Sequence, residues 1–208
     1  MTTVLTSAYW PNLQYFYYLL HAGEVVIEQH DAYQKQSYRN RTQILSANGV
    51  LNLVIPVVQK HEKMPMHAVE IDYREKWQIK HWRAIESAYK NSPFFDFFED
   101  ELIEFYKHDT TSLIQYNHIQ LQFILKLLRR KSNMRFSDTF EESYIDFEDK
   151  RFSIHPKINF EADTKTADVL RKPYYQTFGD KFPFVPNLSV LDLIFNEGKY
   201  AAQYLQLQ

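Results

Sequence analysis

Cysteine is absent from this chain of 208 residues, and glycine occurs only four times. The absence of cysteine excludes disulfides, thiol nucleophiles and thiolate metal sites, and it is compatible with a reducing compartment. The glycines are not spaced as GxGxxG or as a P-loop, so the usual glycine-rich phosphate cradles are also excluded. A nucleotide would have to bind in another way.

Long apolar runs and a strong net charge are missing as well. No segment reaches the roughly 20 apolar residues that span a bilayer, and residues 1–11 lack the basic start and apolar run of a signal peptide. We therefore expect a cytoplasmic protein without a membrane partner. The formal net charge is −2, which disfavours nucleic acid as a partner and leaves any anion binding to a local cluster of cations.

Short catalytic motifs are the third absence. The eight histidines show no HExxH or other tight ligand spacing, so we expect no metal site. There is no D-x-D triplet, which weakens the case for a metal-dependent glycosyltransferase, and no GxSxG elbow to support a hydrolase triad. No pattern names a cofactor.

The composition is that of a folded chain. Hydrophobic residues make up 45% and charged residues 24%, a balance that can build a sizeable core without disulfides or structural metal. We find no linker, internal repeat or low-complexity run, so residues 1–208 are expected to form a single domain.

The beginning of the chain is typical of a βαβ unit. Residues 4–8 and 24–28 are apolar strand patterns, and residues 13–21 form a helix pattern between them. Residues 42–47 and 50–58 flank Asn48-Gly49, which predicts a hairpin with a type I′ turn. The expected fold is α/β, with a mainly parallel sheet, this hairpin and a helical second half. The alternative is α+β with a largely antiparallel sheet.

Helical patterns dominate the rest of the sequence. They cover residues 75–90, 95–106, 112–131 and 188–195, the last capped by Asn187, and residues 200–207 could add a final turn or two. Residues 132–166 follow no regular period and are interpreted as a surface excursion with at most one strand.

A basic stretch follows the second predicted strand. Lys35, Arg39 and Arg41 lie where the carboxyl end of a parallel strand opens onto a ligand crevice, and Asn40 adds an amide. Arginine forks match carboxylate or phosphate oxygens, and lysine adds a point charge. The sequence therefore predicts a site for an anionic small molecule, with a solvated basic loop as the competing interpretation.

His81 is the candidate general base. It follows Lys80 on the predicted helix 75–90 and shares one face with Trp77, Ile85 and Tyr89. That apolar face equally suits a packed histidine hydrogen-bonded to a carbonyl, so both interpretations stay open.

The order and spacing of several short motifs resemble the WbqC-like protein family over essentially the whole chain. The motifs are Pro11-x-x-x-Tyr15-Phe16, Lys35-x-x-x-Arg39-Asn40-Arg41, Trp77-x-x-Lys80-His81, Ile85-x-x-x-Tyr89, Pro93-x-Phe95, Tyr175-Gln176 and Pro186-x-Leu188-Ser189-x-x-Asp192 with Asn196. The resemblance implies a bacterial cytoplasmic transferase, and it adds Tyr15, Lys80, Tyr175 and Gln176 to the candidate substrate-binding residues. Some members of that family are associated with O-antigen or other surface-polysaccharide gene sets, in which glycyl transfer to amino sugars has been suggested.

These observations favour a group-transfer enzyme acting on an anionic small molecule. Aminoacyl (glycyl) or sugar transfer in surface-polysaccharide biosynthesis is the specific form that the resemblance implies. The alternative is a non-catalytic module that binds nucleic acid or a phosphorylated ligand, and a structural interaction protein is the third possibility.

Overall fold

The structure is a computed structural model that describes residues 1–58 and 63–205. The strands are β1 (Thr2–Thr6), β2 (Glu24–Glu28), β3 (Arg41–Ser46), β4 (Gly49–Val54), β5 (Val57–Val58), β6 (Glu70–Ile71), β7 (Met134–Phe136) and β8 (Glu148–Asp149). The helices are α1 (Leu13–His21), α2 (Trp77–Tyr89), α3 (Phe95–Ile103), α4 (Leu113–Leu127), α5 (Thr164–Leu170), α6 (Val190–Glu197) and α7 (Ala201–Tyr204).

A four-stranded parallel sheet organises the fold, in the order β7-β2-β1-β8. β1 and β2 pair along their whole length, from Thr2 with Glu24 to Thr6 with Glu28, and α1 connects them. The βαβ opening and the α/β class are therefore confirmed. Since all four strands are parallel, the segments that follow them start at one edge of the sheet, the edge where ligands bind in such folds.

The interpretation of residues 132–166 as a surface excursion was wrong. This segment supplies both outer strands of the parallel sheet, β7 beside β2 and β8 beside β1. It also contains Arg151, whose side chain is completely buried. The two strands have three and two residues, which is too short for a periodic pattern to reveal them in the sequence.

The hairpin is present, but its turn is not of type I′. β3 and β4 pair as far as Ser46 with Gly49, so Ala47 and Asn48 occupy the turn. A type I′ turn needs a positive φ at both residues, and neither has one, whereas Gly49 has a φ of 100°. This arrangement is typical of a type I turn followed by a glycine bulge.

The helical second half was predicted correctly in its main elements, with one wrong cap. Ser189, not Asn187, caps α6, because its Oγ accepts a hydrogen bond from the backbone N–H of Leu191. Asn187 has a φ of 56°, and its Oδ1 accepts from the backbone N–H of Gln14 in α1. Of the predicted residues 200–207, positions 206 and 207 lie outside the described residues.

The helices pack around one hydrophobic cluster that runs from Leu5 in β1 to Leu205 after α7. Aromatic rings are prominent in it, among them Trp10, Trp77 and Phe195. Across residues 1–58 and 63–205, no helix combines the length and the apolar character that crossing a bilayer requires.

Candidate functional site

Buried polar residues gather at the carboxyl edge of the parallel sheet. Glu28, the last residue of β2, accepts hydrogen bonds from the Ser137 hydroxyl at 2.8 Å and the Tyr144 hydroxyl at 2.6 Å. Burial alone would raise the pKa of Glu28, but these hydrogen bonds, one from the backbone N–H of His30 and the charge of Arg151 together lower it. Glu28 is therefore a buried carboxylate that stays ionised.

Arg151 secures the other side of this edge. Its guanidinium contacts the carboxylate of Asp149 through Nε and Nη2, with 2.7 Å between Nη2 and Oδ2. Nη1 and Nη2 also donate to the backbone carbonyls of Glu141 and Glu142. With so many acceptors in place, Arg151 holds the loop between β7 and β8 and has little capacity left for a ligand.

Arg39 lies in the same polar layer and is 2% exposed. Its Nη2 forms a buried ion pair with Asp31 at 2.7 Å, and its Nη1 donates to the side chain of Gln34. The third donor, Nε, is buried and has no acceptor among the described residues. Asn117 of α4 donates to the Arg39 carbonyl and to the Ser7 hydroxyl, which anchors this loop to the end of β1.

Arg41 differs from Arg39 because it has no carboxylate partner within the described part of the chain. It is half-buried at the start of β3, and its Nε is buried without an acceptor. Its charge nevertheless acts on its neighbours. Burial raises the pKa of Tyr33 to about 12, against the opposing charges of Arg39 and Arg41. The two arginines therefore form one positive centre.

Asn12 adds a third unsatisfied donor beside this centre. It caps α1 through Oδ1, which accepts from the backbone N–H of Tyr15. Its Nδ2 interacts electrostatically with the Tyr38 phenol, on which the charge of Arg41 also acts, but it makes no hydrogen bond of good geometry with any described residue. Several buried donors that lack acceptors are what an anion site requires.

His155 and Lys157 approach the arginines from the segment that follows β8. The pKa of His155 is lowered, mainly by burial and then by the positive charges of Arg39, Lys157 and Arg41. Nδ1 of His155 accepts a hydrogen bond from the backbone N–H of Lys157 at 3.1 Å. The sequence analysis missed both residues because it assigned their segment to the surface. The only local signal was the cation-rich stretch that begins at Lys150.

His81 has a different environment. It is 6% exposed on α2, its Nδ1 lies 2.9 Å from the Tyr9 hydroxyl, and its ring contacts Trp77. Burial lowers the pKa of His81 to about 4, although a hydrogen bond to the backbone of Val54 opposes this shift. None of these contacts involves Arg39 or Arg41, so the structure does not bring His81 into their cluster.

The remaining predicted site residues are dispersed. The Tyr15 hydroxyl donates to the carbonyl of Thr6, and Nδ2 of Asn40 donates to the carbonyl of Ile55. Lys35 is exposed on the loop before Arg39. Each of the first two side chains supports the backbone next to the arginine cluster, while Lys35 lies at its surface.

Lys80, Tyr175 and Gln176 do not join the cluster through any contact described. Lys80 forms an exposed ion pair with Glu75 at 3.1 Å, and Tyr175 is 56% exposed. Gln176 is buried, and its Nε2 donates to Asp192 and to the carbonyl of Val185. The structure thus combines Arg39 and Arg41 with His155 rather than with His81 and Gln176.

A polar cavity of about 240 Å³ opens beside the segment that carries His155. Ser153 and Ile158 line it, and Lys150 faces Asp163 across it at 3.3 Å. Within the described residues, no group of three or more histidine, aspartate or glutamate side chains is arranged to hold a metal ion.

Comparisons with known proteins agree with this arrangement. The chain is 25% identical over 230 aligned positions to the protein named "Uncharacterized protein Rv1507c" of Mycobacterium tuberculosis (strain ATCC 25618 / H37Rv), and the alignment covers 98% of this chain and 96% of the relative. No solved structure gives a significant match. The family model described as "WbqC-like protein family" matches residues 6–161, a range that includes Arg39, Arg41 and His155. The chain therefore belongs to the WbqC-like protein family.

Proposed function

We propose that this protein is a group-transfer enzyme whose substrate is an anionic small molecule bound by Arg39 and Arg41. One observation carries the proposal: the buried Nε atoms of both arginines have no acceptor among the described residues. An unsatisfied buried donor on a charged group costs roughly 1–3 kcal/mol or more, and an anionic ligand would remove that cost.

The two arginines contribute differently. Arg39 is held rigidly by Asp31 and Gln34, so only Nε is left to point toward a ligand. Arg41 has its whole guanidinium available. Because the charge of Arg39 is largely neutralised by Asp31, Arg41 supplies most of the net attraction for an anion.

The proposed reaction transfers a group from an anionic donor to an amine or hydroxyl acceptor. The acceptor nitrogen or oxygen forms a bond to the transferred group, and the bond between that group and the anionic leaving group breaks. The leaving group keeps the electron pair, and the proton of the acceptor passes to solvent. Cations at the leaving group stabilise the negative charge that develops there.

The resemblance supports a narrower form of the proposal, in which an aminoacyl (glycyl) group or a sugar is transferred during surface-polysaccharide biosynthesis in the cytoplasm of a bacterium. The polar cavity beside Ser153 offers space near His155 for a second substrate. The negative net charge supports a small molecule over nucleic acid as the partner.

The binding experiment compares two arginine variants with inorganic pyrophosphate as the probe. We expect Arg41→Ala to weaken pyrophosphate binding by roughly 1–3 kcal/mol, as measured by titration calorimetry, because charge-assisted hydrogen bonds are lost. Arg83→Ala is the matched control, because Arg83 is exposed on α2 and lies outside the cluster. Equal binding by the two variants would contradict the proposal.

The activity experiment uses the full chain with candidate donors and acceptors. A thermal-shift screen over nucleotides, sugar nucleotides and amino acids selects the donor, and mass spectrometry then follows product formation with amine and hydroxyl acceptors. A mass increase of the acceptor that disappears in Arg41→Ala supports transfer. Tight binding of the anion without any product would favour the alternative, a non-catalytic module for a phosphorylated ligand.

A further inference from the structure

The imidazole of His155 is a group whose role the sequence analysis did not consider. It is half-buried, follows the carboxyl end of β8, and senses the charges of both arginines. A histidine in such a position could act as a proton acceptor, as a positively charged ligand, or as a neutral hydrogen-bond donor. Two features of its surroundings distinguish these roles.

The first feature is the hydrogen bond at Nδ1. The backbone N–H of Lys157 donates to Nδ1 at 3.1 Å. A backbone amide is always a donor, so Nδ1 must be the unprotonated nitrogen of the ring. In the neutral imidazole the proton therefore lies on Nε2, and this Nε2–H remains available to donate to a ligand.

The second feature is the positive surroundings. Arg39, Arg41 and Lys157 lie close enough to disfavour a positive charge on the ring, and partial burial acts in the same direction. Protonation of Nδ1 would also break its hydrogen bond with Lys157. The neutral ring with a proton on Nε2 is the form that this environment favours.

On the basis of the proposed function, we infer that His155 acts as a neutral hydrogen-bond donor, through Nε2–H, to an oxygen of the anion that Arg39 and Arg41 bind. It would supplement the donors of the two arginines without adding charge. In the transfer step Nε2–H would hydrogen-bond to the departing oxygen while keeping its own proton, so the proton balance of the reaction is unchanged. A neutral donor of this kind stabilises a developing oxyanion as the donors of an oxyanion hole do.

The inference distinguishes His155 from a general base. A base would need a free lone pair on Nε2, which exists only if the proton moves to Nδ1 and the contact with Lys157 is lost. A glutamine at the same position can place its side-chain N–H near the location of Nε2 and cannot act as a base. His155→Gln should therefore keep much of the function that His155→Ala loses.

The test combines nuclear magnetic resonance with pyrophosphate binding. In protein labelled with ¹⁵N-histidine, we expect the His155 ring to be neutral at pH 7, with the proton on Nε2, and the Nε2–H signal to shift when pyrophosphate is added. His155→Ala should weaken pyrophosphate binding by roughly ten- to a hundredfold, and His155→Gln by only a few-fold. His108→Ala, which alters an exposed histidine outside the cluster, is the control.

The possible outcomes separate this inference from the proposal on which it rests. If Arg41→Ala weakens pyrophosphate binding but His155→Ala does not, the anion site stands and the role of His155 is refuted. A proton on Nδ1, a charged ring at pH 7, or equal losses in His155→Gln and His155→Ala would also refute it. If pyrophosphate affects neither Arg41 nor His155, both the proposed function and this inference fail.

Discussion

The Tyr9 hydroxyl lies 2.9 Å from Nδ1 of His81, and this contact places His81 at the end of a buried hydrogen-bond chain. Nε1–H of Trp10 donates to the Tyr106 hydroxyl at 2.8 Å, and the Tyr106 and Tyr9 hydroxyls are 3.0 Å apart. Because Trp10 can only donate, Tyr106 donates to Tyr9 and Tyr9 donates to His81. Nδ1 therefore accepts, and the proton of the ring faces the backbone of Val54.

This chain predicts a structural effect for the loss of His81. His81→Ala would leave a cavity and remove the partners of the Tyr9 hydroxyl and of the Val54 backbone, so we expect the free energy of unfolding to fall by roughly 2–4 kcal/mol. Urea denaturation would measure the change. Lys80→Ala, at an exposed ion pair one residue earlier, should cost less than about 1 kcal/mol. A His81→Ala variant as stable as Lys80→Ala would contradict the packed environment.

The low pKa of His81 predicts a pH effect with a definite sign. Its folded-state pKa is about 4, mainly because of burial, whereas an unfolded histidine has a pKa of about 6.5. The unfolded state therefore binds more protons in this range, and the stability that His81 contributes above about pH 6.5 is lost progressively as the pH falls toward 4. We expect His81→Gln to lose less stability than the parent chain between pH 6.5 and 4 in urea titrations. Parallel losses would show that His81 is not responsible.

Asp192 predicts an effect of the opposite sign. This carboxyl is buried, with hydrogen bonds from the hydroxyls of Tyr89 and Tyr174 and from Gln176, and burial raises its pKa to about 6. The folded state therefore binds more protons than the unfolded state, in which the pKa is about 3.9. This contribution to stability is fully present below about pH 4 and is lost as the pH rises through 6.

The corresponding experiment compares Asp192→Asn with the parent chain. Between pH 4 and 7 the stability of the parent should fall relative to the variant by roughly 2–3 kcal/mol, because the asparagine side chain does not ionise. Asp168→Asn is the control, since the Asp168 side chain is 92% exposed on α5. Identical pH profiles for Asp192→Asn and Asp168→Asn would contradict the raised pKa.

The hairpin turn predicts a purely conformational cost at Gly49. Its φ of 100° is unfavourable for a β-branched residue, whereas an added Cβ would meet no atom within 4 Å. We expect Gly49→Val to lower the free energy of unfolding by at least about 1 kcal/mol. Gly23→Ala, at a glycine without a positive φ and with only ordinary contacts, should be close to neutral. Equal melting temperatures for Gly49→Val and the parent would show that the turn adopts another conformation.

The sequence by itself determined those features that depend on neighbouring residues. The apolar runs of β1 and β2 around α1 indicated the βαβ unit, and Asn48-Gly49 located the hairpin, because strand period and turn chemistry act over a few residues. The same local logic located Arg39 and Arg41 after a strand of a parallel sheet. It could not name the turn type, because Asn48 tolerates either sign of φ.

Only the tertiary structure decided which side chains meet. β7 and β8 have no pattern of their own and exist because β1 and β2 offer unpaired edges to them. His155 reaches Arg41 from more than a hundred residues away, whereas His81 is enclosed by Tyr9, Trp77 and Val54. A histidine has the same intrinsic chemistry at both positions. Burial and neighbouring charges, which arise from long-range packing, leave one ring in the core and bring the other to the arginine cluster.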